Sequence, residues 1–558
     1  MKRHAQSLGA GSAVLLLSTA TVKVLGALFK VPLTAMIGGQ GMGFYMTAYS
    51  VFTPVYAVCV AGLPAAIARV SAALYAQTGR RIPQGFLLQQ ALIAFLPFGA
   101  ILGALLGTLA VPIAALIGNA DAADAVRAIA PAVLLCALTA VFRGLFEGER
   151  NMLPTAVSQC VEAIVRLIAG LSLAWFCLVQ RPAVPPQKAA AAVLTGVTFS
   201  VAAGALSLAV FVRFEKGTVP VGLSGRAVRR RLREAAVPVC LAALIANLAV
   251  LIDLVTVMNR LRAAICAGAE TVCGAYPAAE LFSIAPDALP NFLFGAYTAL
   301  AMTVFHLVPA LTSPLATGAL PLVSALHEKG DRAGAQNACT AVLKCAALLA
   351  IPAGMGVTVL AGPILALFFA RNPRECAVAA ELLRILGAAS ALAALAGPVN
   401  SLLQATGRPY ASVRLLMIGT ACKAVVNFLL VADARFNIAG AAWGTLICYA
   451  GAVLPGMALL LRGRGRLRVM AGVFFPPLIG GALCAVSARM CFTLLERLSP
   501  SHFCVLPAIV SGVGVYLLFL MLLRPLTAAE CEILLQNPQK KQKKRLFSLE
   551  KHRSVRYN

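Results

Sequence analysis

The chain has 558 residues, of which 60% are hydrophobic and only 12% charged, with 47 Lys and Arg set against 20 Asp and Glu. Soluble domains average about 25% charged residues, so a soluble enzyme of this size and a disordered chain are both excluded. The net charge of +27 has no polar domain to display it; nucleic acid is not an expected partner, and membrane topology accounts for the bias.

Long apolar runs from end to end predict an all-α polytopic membrane protein. Met1 to His4 followed by an apolar run from Leu8 has a signal-like shape, but Lys23 and Lys30 follow without a small-residue cleavage site. The run is therefore read as a retained first helix. Fourteen spans are expected, each near the roughly 20 residues a bilayer requires. They lie at 9–29, 43–74, 86–117, 125–146, 154–179, 189–212, 232–258, 291–325, 337–369, 377–405, 410–432, 438–461, 470–495 and 502–523. Pro54, Pro64, Pro112, Pro309, Pro314 and Pro321 fall inside them and predict kinks that shape a cavity.

Basic residues set the orientation. With a cytoplasmic N-terminus the inner segments hold Arg80 and Arg81, the cluster Arg226, Arg229, Arg230, Arg231 and Arg233, the run Arg462 to Arg468, and Lys540 to Arg545. The outer loops hold only scattered ones, so both termini are expected on the cytoplasmic side of the membrane. The expected organisation is a six-helix bundle (1–215), a basic linker ending in a short amphipathic helix (216–234), a second six-helix bundle (235–461), helices 13 and 14 (462–525) and a basic tail (526–558). A faint repeat supports two halves. Leu145 to Asn151 precedes a helix with Arg166, as Leu402 to Arg408 precedes a helix with Lys423.

The 16 cysteines and five histidines show no zinc-type spacing, so no metal and no cofactor is expected. Cys266 and Cys273 share one expected outer loop, and a disulfide between them is left open.

Ionisable residues inside spans carry the functional information, because each costs about 2.5–3.5 kcal/mol on insertion scales and should face a cavity, a partner or the interface. Glu162 and Arg166, one turn apart, should pair; Lys344 is near enough to the inner end to snorkel. Lys23, Lys30 and Arg69 concentrate positive charge in the first half, and a cavity with cationic walls attracts anions, phosphates above all. Asp253, with Asn247 before it and Asn259 and Arg260 after it, is read either as a site for Na+ or a proton or as a structural partner of a base such as Lys423.

Three stretches carry a family likeness: Lys23-Val-Leu-Gly-Ala-Leu-Phe-Lys-Val-Pro-Leu-Thr34 with Ile37 to Tyr45; Phe142-Arg-Gly-Leu-Phe-Glu-Gly-Glu-Arg-Asn-Met-Leu-Pro-Thr-Ala-Val-Ser-Gln159 with Glu162 to Arg166; and Asn247 to Leu261. In these the chain resembles the polysaccharide-exporter branch of the multidrug/oligosaccharidyl-lipid/polysaccharide (MOP) exporter superfamily, and within it the stage V sporulation protein B group, related to the lipid II flippases. Leu315 to Glu328, Leu402 to Pro409 and Gly440 to Tyr449 extend the likeness. The resemblance implies two bundles forming a V around a cavity of alternating access, a non-enzymatic flippase, and a polyprenyl-pyrophosphate-linked glycan as cargo, with membrane lipids as the other partners. It implies a monomer, driven by Na+, H+ or the membrane potential. By position it assigns the pyrophosphate to Lys23, Lys30, Arg69 and Arg260, with Lys at 23 and 30 where relatives often use Arg. The competing readings are a cation-coupled multidrug antiporter of the same fold, a polytopic glycosyltransferase and a scaffold.

Overall fold

The computed structural model describes residues 8–78, 82–149, 151–180, 184–212, 224–277, 279–461, 466–499 and 501–523, with 525, 527 and 530. Positions 216–223 of the expected linker and nearly all of the expected tail lie outside the described residues. All regular structure among them is helical. Two compact units are present. The first comprises the chain through Leu300 together with Arg371–Val378 and Asn427–Ile438; the second comprises Ala301–Ala370, Ala379–Val426 and the residues from Ala439 on.

The first unit is built from α1 (Leu8–Ala57), α2 (Leu63–Thr78), α3 (Gln84–Thr108), α4 (Ala110–Ile117), α5 (Ala123–Gly148), α6 (Leu153–Gln180), α7 (Pro186–Phe211), α8 (Gly225–Gly274) and α9 (Leu289–Gly295). α1 is two limbs meeting at Gly38, whose φ of 65° and ψ of 179° leave helical space for a region open almost only to glycine. The chain between the first two expected spans is thus helical up to and beyond this one residue. The break frees backbone groups, and the segment Arg371–Val378 satisfies two of them. The Gly39 N–H donates to Glu375 Oε1 at 2.7 Å, and the Thr34 carbonyl accepts from Asn372 Nδ2 at 3.2 Å. Both side chains are buried, as groups with such partners can be.

α8 corrects a second expectation. The basic cluster does not form a separate short helix; it occupies the first turns of a helix that continues as far as Gly268, where a φ of −179° and ψ of 77° leave helical space before a last stretch to Gly274. Its start is capped by Ser224 Oγ accepting from the Ala227 N–H at 3.2 Å. Arg229 donates to Gln90 of α3, and Arg231 to Gln77 of α2 at 2.7 Å. Cys266 and Cys273, within α8, are both free thiols.

The second unit contains α10 (Met302–Phe305), α11 (Leu307–Glu328), α12 (Arg332–Val359), α13 (Ala361–Phe368), α14 (Pro373–Ala405, whose first turns belong to the first unit), α15 (Pro409–Leu430, whose last turn does too), α16 (Ala439–Leu460), α17 (Arg466–Leu498) and α18 (Val505–Leu523). Its core gathers Leu343, Ala347, Leu402, Leu403, Met457 and Val473. Lys344, expected to reach the inner interface, has its Nζ 3.1 Å from Glu530, a residue beyond the last span.

Three expected spans are broken by one mechanism. The expected spans 86–117, 291–325 and 337–369 are each interrupted, after Thr108, Phe305 and Val359. Each of these residues lies four before a proline, Pro112, Pro309 and Pro363. Proline lacks the N–H that this carbonyl would accept from and its ring crowds the same carbonyl, so the helix stops and restarts within two residues. At His306 the restart bends the path by 42°.

Among the described residues, 11 helices are long and apolar enough to cross a membrane, or 12 if the bent pair is one span. Large apolar side chains such as Leu116, Trp175, Leu206, Val210 and Leu522 are exposed, which in a chain of closed backbone hydrogen bonds is the surface that lipid solvates. Lipid tails are as apolar as leucine, so close backbone packing rather than transfer from water holds such helices together. α1 and α9 show it: a Cβ on Gly43 would strike the Asn291 carbonyl, and one on Gly295 the Gly39 carbonyl. Beside this contact Asn119 and Asn291 exchange side-chain hydrogen bonds of 2.6 and 3.2 Å, and Asn119 also donates to Thr47 Oγ1 at 3.1 Å.

Candidate functional site

The first unit carries a buried ionic cluster where α5 and α6 meet. Arg143, five residues before the end of α5, reaches Glu162 of α6: Nη2 lies 3.0 Å from Oε2, and Nε donates to Ser158 Oγ at 3.1 Å. Arg166, one turn beyond Glu162 on the same helix, donates from Nη2 to the other carboxylate oxygen at 2.7 Å. Arg143 and Glu162 are 2% and 4% exposed, deep enough that an unpaired charge would cost several kcal/mol. Counted among these three side chains alone, two guanidinium groups on one carboxylate leave a surplus of one positive charge; Glu147, one turn beyond Arg143 on α5, also interacts with that guanidinium. Arg166 Nε is buried without a partner among the described residues.

An aromatic ladder borders this cluster. Tyr45, Tyr49, Phe52 and Tyr56 recur at three- and four-residue spacing on one face of the second limb of α1, with successive ring centroids 5.8, 6.1 and 5.5 Å apart. The Tyr49 hydroxyl accepts from Arg166 Nη1 at 3.4 Å, and the Tyr56 hydroxyl donates to Glu162 Oε1 at 3.5 Å. Phe29 of the first limb stands 6.3 Å from Tyr45, and the half-buried Lys30 follows it in the chain. A cationic surplus, phenol hydroxyls and apolar walls together suit an anion with several acceptor oxygens.

The remaining expected site residues are dispersed. Lys23 on α1 and Arg69 on α2 are exposed; Arg260 on α8 is half-buried, its guanidinium 3.2 Å over the Phe428 ring centroid, a cation–π contact. Asp253 accepts from Asn427 Nδ2 at 2.5 Å, while Asn427 Oδ1 is buried without a partner among the described residues. Asn247 spends its Nδ2 on the Ala243 carbonyl of its own helix at 2.9 Å. Lys423 is half-buried on α15. The structure therefore joins Glu162 to Arg166 as expected and adds Arg143, Tyr49 and Tyr56, which sequence reasoning missed; it joins Asp253 to Asn427; and it carries Lys23, Arg69 and Arg260 on three different helices. Among the described residues no group of three or more His, Cys, Asp or Glu could hold a metal ion.

Glu530, beyond the last span, is the partner of Lys344 in the second unit. Burial works to raise its carboxyl, but the Thr527 N–H and the Lys344 ammonium outweigh this and hold it below the usual range.

Comparison with known proteins places this arrangement. A family model described as polysaccharide biosynthesis protein matches residues 8–327, and the MatE model matches 295–429. The chain is 26% identical over 505 residues to the uncharacterized membrane protein YabM of Bacillus subtilis (strain 168), covering 89% of this chain and 87% of that one. It is 24% identical to stage V sporulation protein B of the same organism, covering 81% of each chain, and 24% identical to its lipid II flippase MurJ, covering 82% of each. Among solved structures it matches a lipid II flippase MurJ in an inward closed conformation with a TM-score of 0.65 at 14% identity, covering 91% of this chain and 98% of the other. An inward-facing MATE family transporter of the MOP superfamily matches with 0.60 at 14%, covering 80% and 95%. At such identities the structural likeness speaks for the fold. The family model, which spans more than half of the chain, speaks for membership. This multi-pass bacterial membrane protein belongs to the polysaccharide biosynthesis protein family, transporters rather than catalysts, within the MOP superfamily.

Proposed function

We propose that the protein is a flippase that carries a polyprenyl-pyrophosphate-linked oligosaccharide across the cytoplasmic membrane by alternating access. The observation that carries this reading is the buried surplus of positive charge at Arg143, Glu162 and Arg166, set against a tyrosine ladder that Phe29 extends into the first limb of α1. A pyrophosphate offers several acceptor oxygens to such a wall, and a low-dielectric surround strengthens each contact relative to water. Lys23, Lys30, Arg69 and Arg260 remain the proposed pyrophosphate ligands, and Arg166 joins them. Likeness to a lipid II flippase over 82% of the chain supports the cargo class.

Fourteen spans are part of the same proposal. The 59-residue run Leu17–Tyr75 exceeds one hydrocarbon thickness of about 30 Å several-fold if straight, so its break at Gly38 divides it into two crossings. Counting α8 and the bent pair as one crossing each then completes fourteen, with six before residue 215 and the basic cluster of α8 on the cytoplasmic side with both termini. The contact of α1 with α9 through Gly43 and Gly295 is the seam that alternating access has to open.

Asp253 and the unpartnered Asn427 Oδ1 are the proposed coupling position, for Na+ or a proton, with the membrane potential as the other source of drive. The MatE match over 295–429 favours one second reading, a cation-coupled multidrug antiporter. Purified protein in liposomes separates the two. Headgroup translocation of lipid II or of a capsule-type lipid-linked repeat, without export of a lipophilic cationic dye, is the expected result; dye export without headgroup translocation would refute the flippase.

A further inference from the structure

The second unit holds an open cavity of about 620 Å3 where α17 leads into α18, lined by Arg489, Phe492, Glu496, Ser501, His502 and Pro363. The polysaccharide biosynthesis model ends before it, at residue 327, and the MatE model, ending at 429, covers only its Pro363 side. Arg489 and Glu496 are seven residues apart on α17, which puts them on one face about 10 Å apart along the axis. They do not neutralise each other: among the described residues the side chain of neither makes an ion pair or a hydrogen bond. An unpaired guanidinium within the apolar run Val469–Leu498 needs a partner to offset its cost. His502 and Ser501 enter the cavity from the turn before α18. Beside it Leu483, Val486, Met490 and Leu494 recur at three- and four-residue spacing and are 47%, 57%, 68% and 62% exposed, a continuous apolar track.

We propose that this cavity binds the headgroup of a zwitterionic aminophospholipid, with the phosphate on Arg489 and His502, the ammonium on Glu496, and an acyl chain along the track from Leu494 to Leu483. Two opposite charges held apart on one face match the two opposite charges of such a headgroup. An anionic phospholipid such as phosphatidylglycerol satisfies Arg489 but offers Glu496 only neutral hydroxyls, with no positive charge to pair with the carboxylate. A choline headgroup carries the positive charge without an N–H to donate. The proposal is independent of the glycan cargo, because it concerns neither α1 nor α6.

Delipidated full-length protein in detergent, incubated with phosphatidylethanolamine, phosphatidylcholine or phosphatidylglycerol and read by native mass spectrometry, tests it. Phosphatidylethanolamine should be retained about tenfold better than either of the others, the effect of one charge-assisted hydrogen bond. Glu496→Gln should erase the preference over phosphatidylcholine while leaving a bound lipid, and Arg489→Gln should lose the lipid where Arg489→Lys keeps it. Equal retention of the three lipids by the wild type overturns the proposal, as does a Glu496→Gln protein that keeps the preference. Displacement of phosphatidylethanolamine by millimolar inorganic phosphate would assign the cavity to a free anion and overturn the lipid. Should Arg489→Gln melt lower than the wild type, Glu496→Gln decides alone.

Discussion

Arg143 of α5 and Glu162 of α6 lie 3.0 Å apart with both side chains almost wholly excluded from solvent. A pair in this position is judged by what its breakage leaves behind. Removing one member of a buried pair typically costs about 3–5 kcal/mol, whereas replacing both by apolar residues of similar volume is often close to neutral. Glu162→Ala strands two guanidinium groups and should lower stability by about that range in detergent-based unfolding. The double variant Arg143→Met with Glu162→Leu still leaves Arg166 without a carboxylate and should recover only part of the loss. Equal destabilisation by the single and double variants would mean that the cluster is held by packing rather than by charge.

The α1–α9 seam gives a steric prediction. Gly43→Ala drives a methyl group into the Asn291 carbonyl and Gly295→Ala one into the Gly39 carbonyl, and overpacking of this kind costs about 1–3 kcal/mol. Both variants should melt lower than the wild type. Gly26→Ala, whose Cβ meets nothing within 4 Å, should not. Wild-type melting in all three would show that the two helices are not in contact in the protein as purified.

How much of this was legible in the sequence depends on the range of the interaction. The pairing of Glu162 with Arg166 follows from four-residue spacing on one helix, and the apolar runs announced the helices themselves. The helix stops after Thr108, Phe305 and Val359 each have a proline four residues on, but Pro97, Pro131, Pro352 and Pro398 lie inside unbroken helices, so proline marks where a stop can fall without saying which one occurs. Arg143 sits near a helix end, and its partner lies 19 residues away across the turn, a distance no periodicity reports. The tyrosine ladder did have a signal, in aromatics at 45, 49, 52 and 56. The support of the Gly38 break by Asn372 and Glu375 had none, since those residues are more than 330 positions away.

The pair of Lys344 and Glu530 carries a pH dependence of defined sign. The Glu530 carboxyl titrates below its ordinary value when folded, and that ordinary value is about 4.3 in an unfolded chain. Its contribution to stability is therefore complete above that value and is lost as pH falls through the lowered one. Glu530→Gln should melt slightly lower than the wild type at pH 7, by no more than about 1 kcal/mol. The difference should vanish at acid pH, and a difference that persists there unchanged would contradict the ion pair.

The central claim is that cationic side chains of the first unit hold the pyrophosphate of a lipid-linked glycan. Lys23 tests it most directly, because it is exposed and outside the buried cluster, so its loss should not disturb folding. Headgroup translocation of lipid II in liposomes, at equal reconstituted protein, should fall at least about tenfold in Lys23→Gln, the equivalent of one lost contact of about 1.4 kcal/mol, and should be largely kept in Lys23→Arg. Translocation in Lys23→Gln equal to that of the wild type would contradict the account.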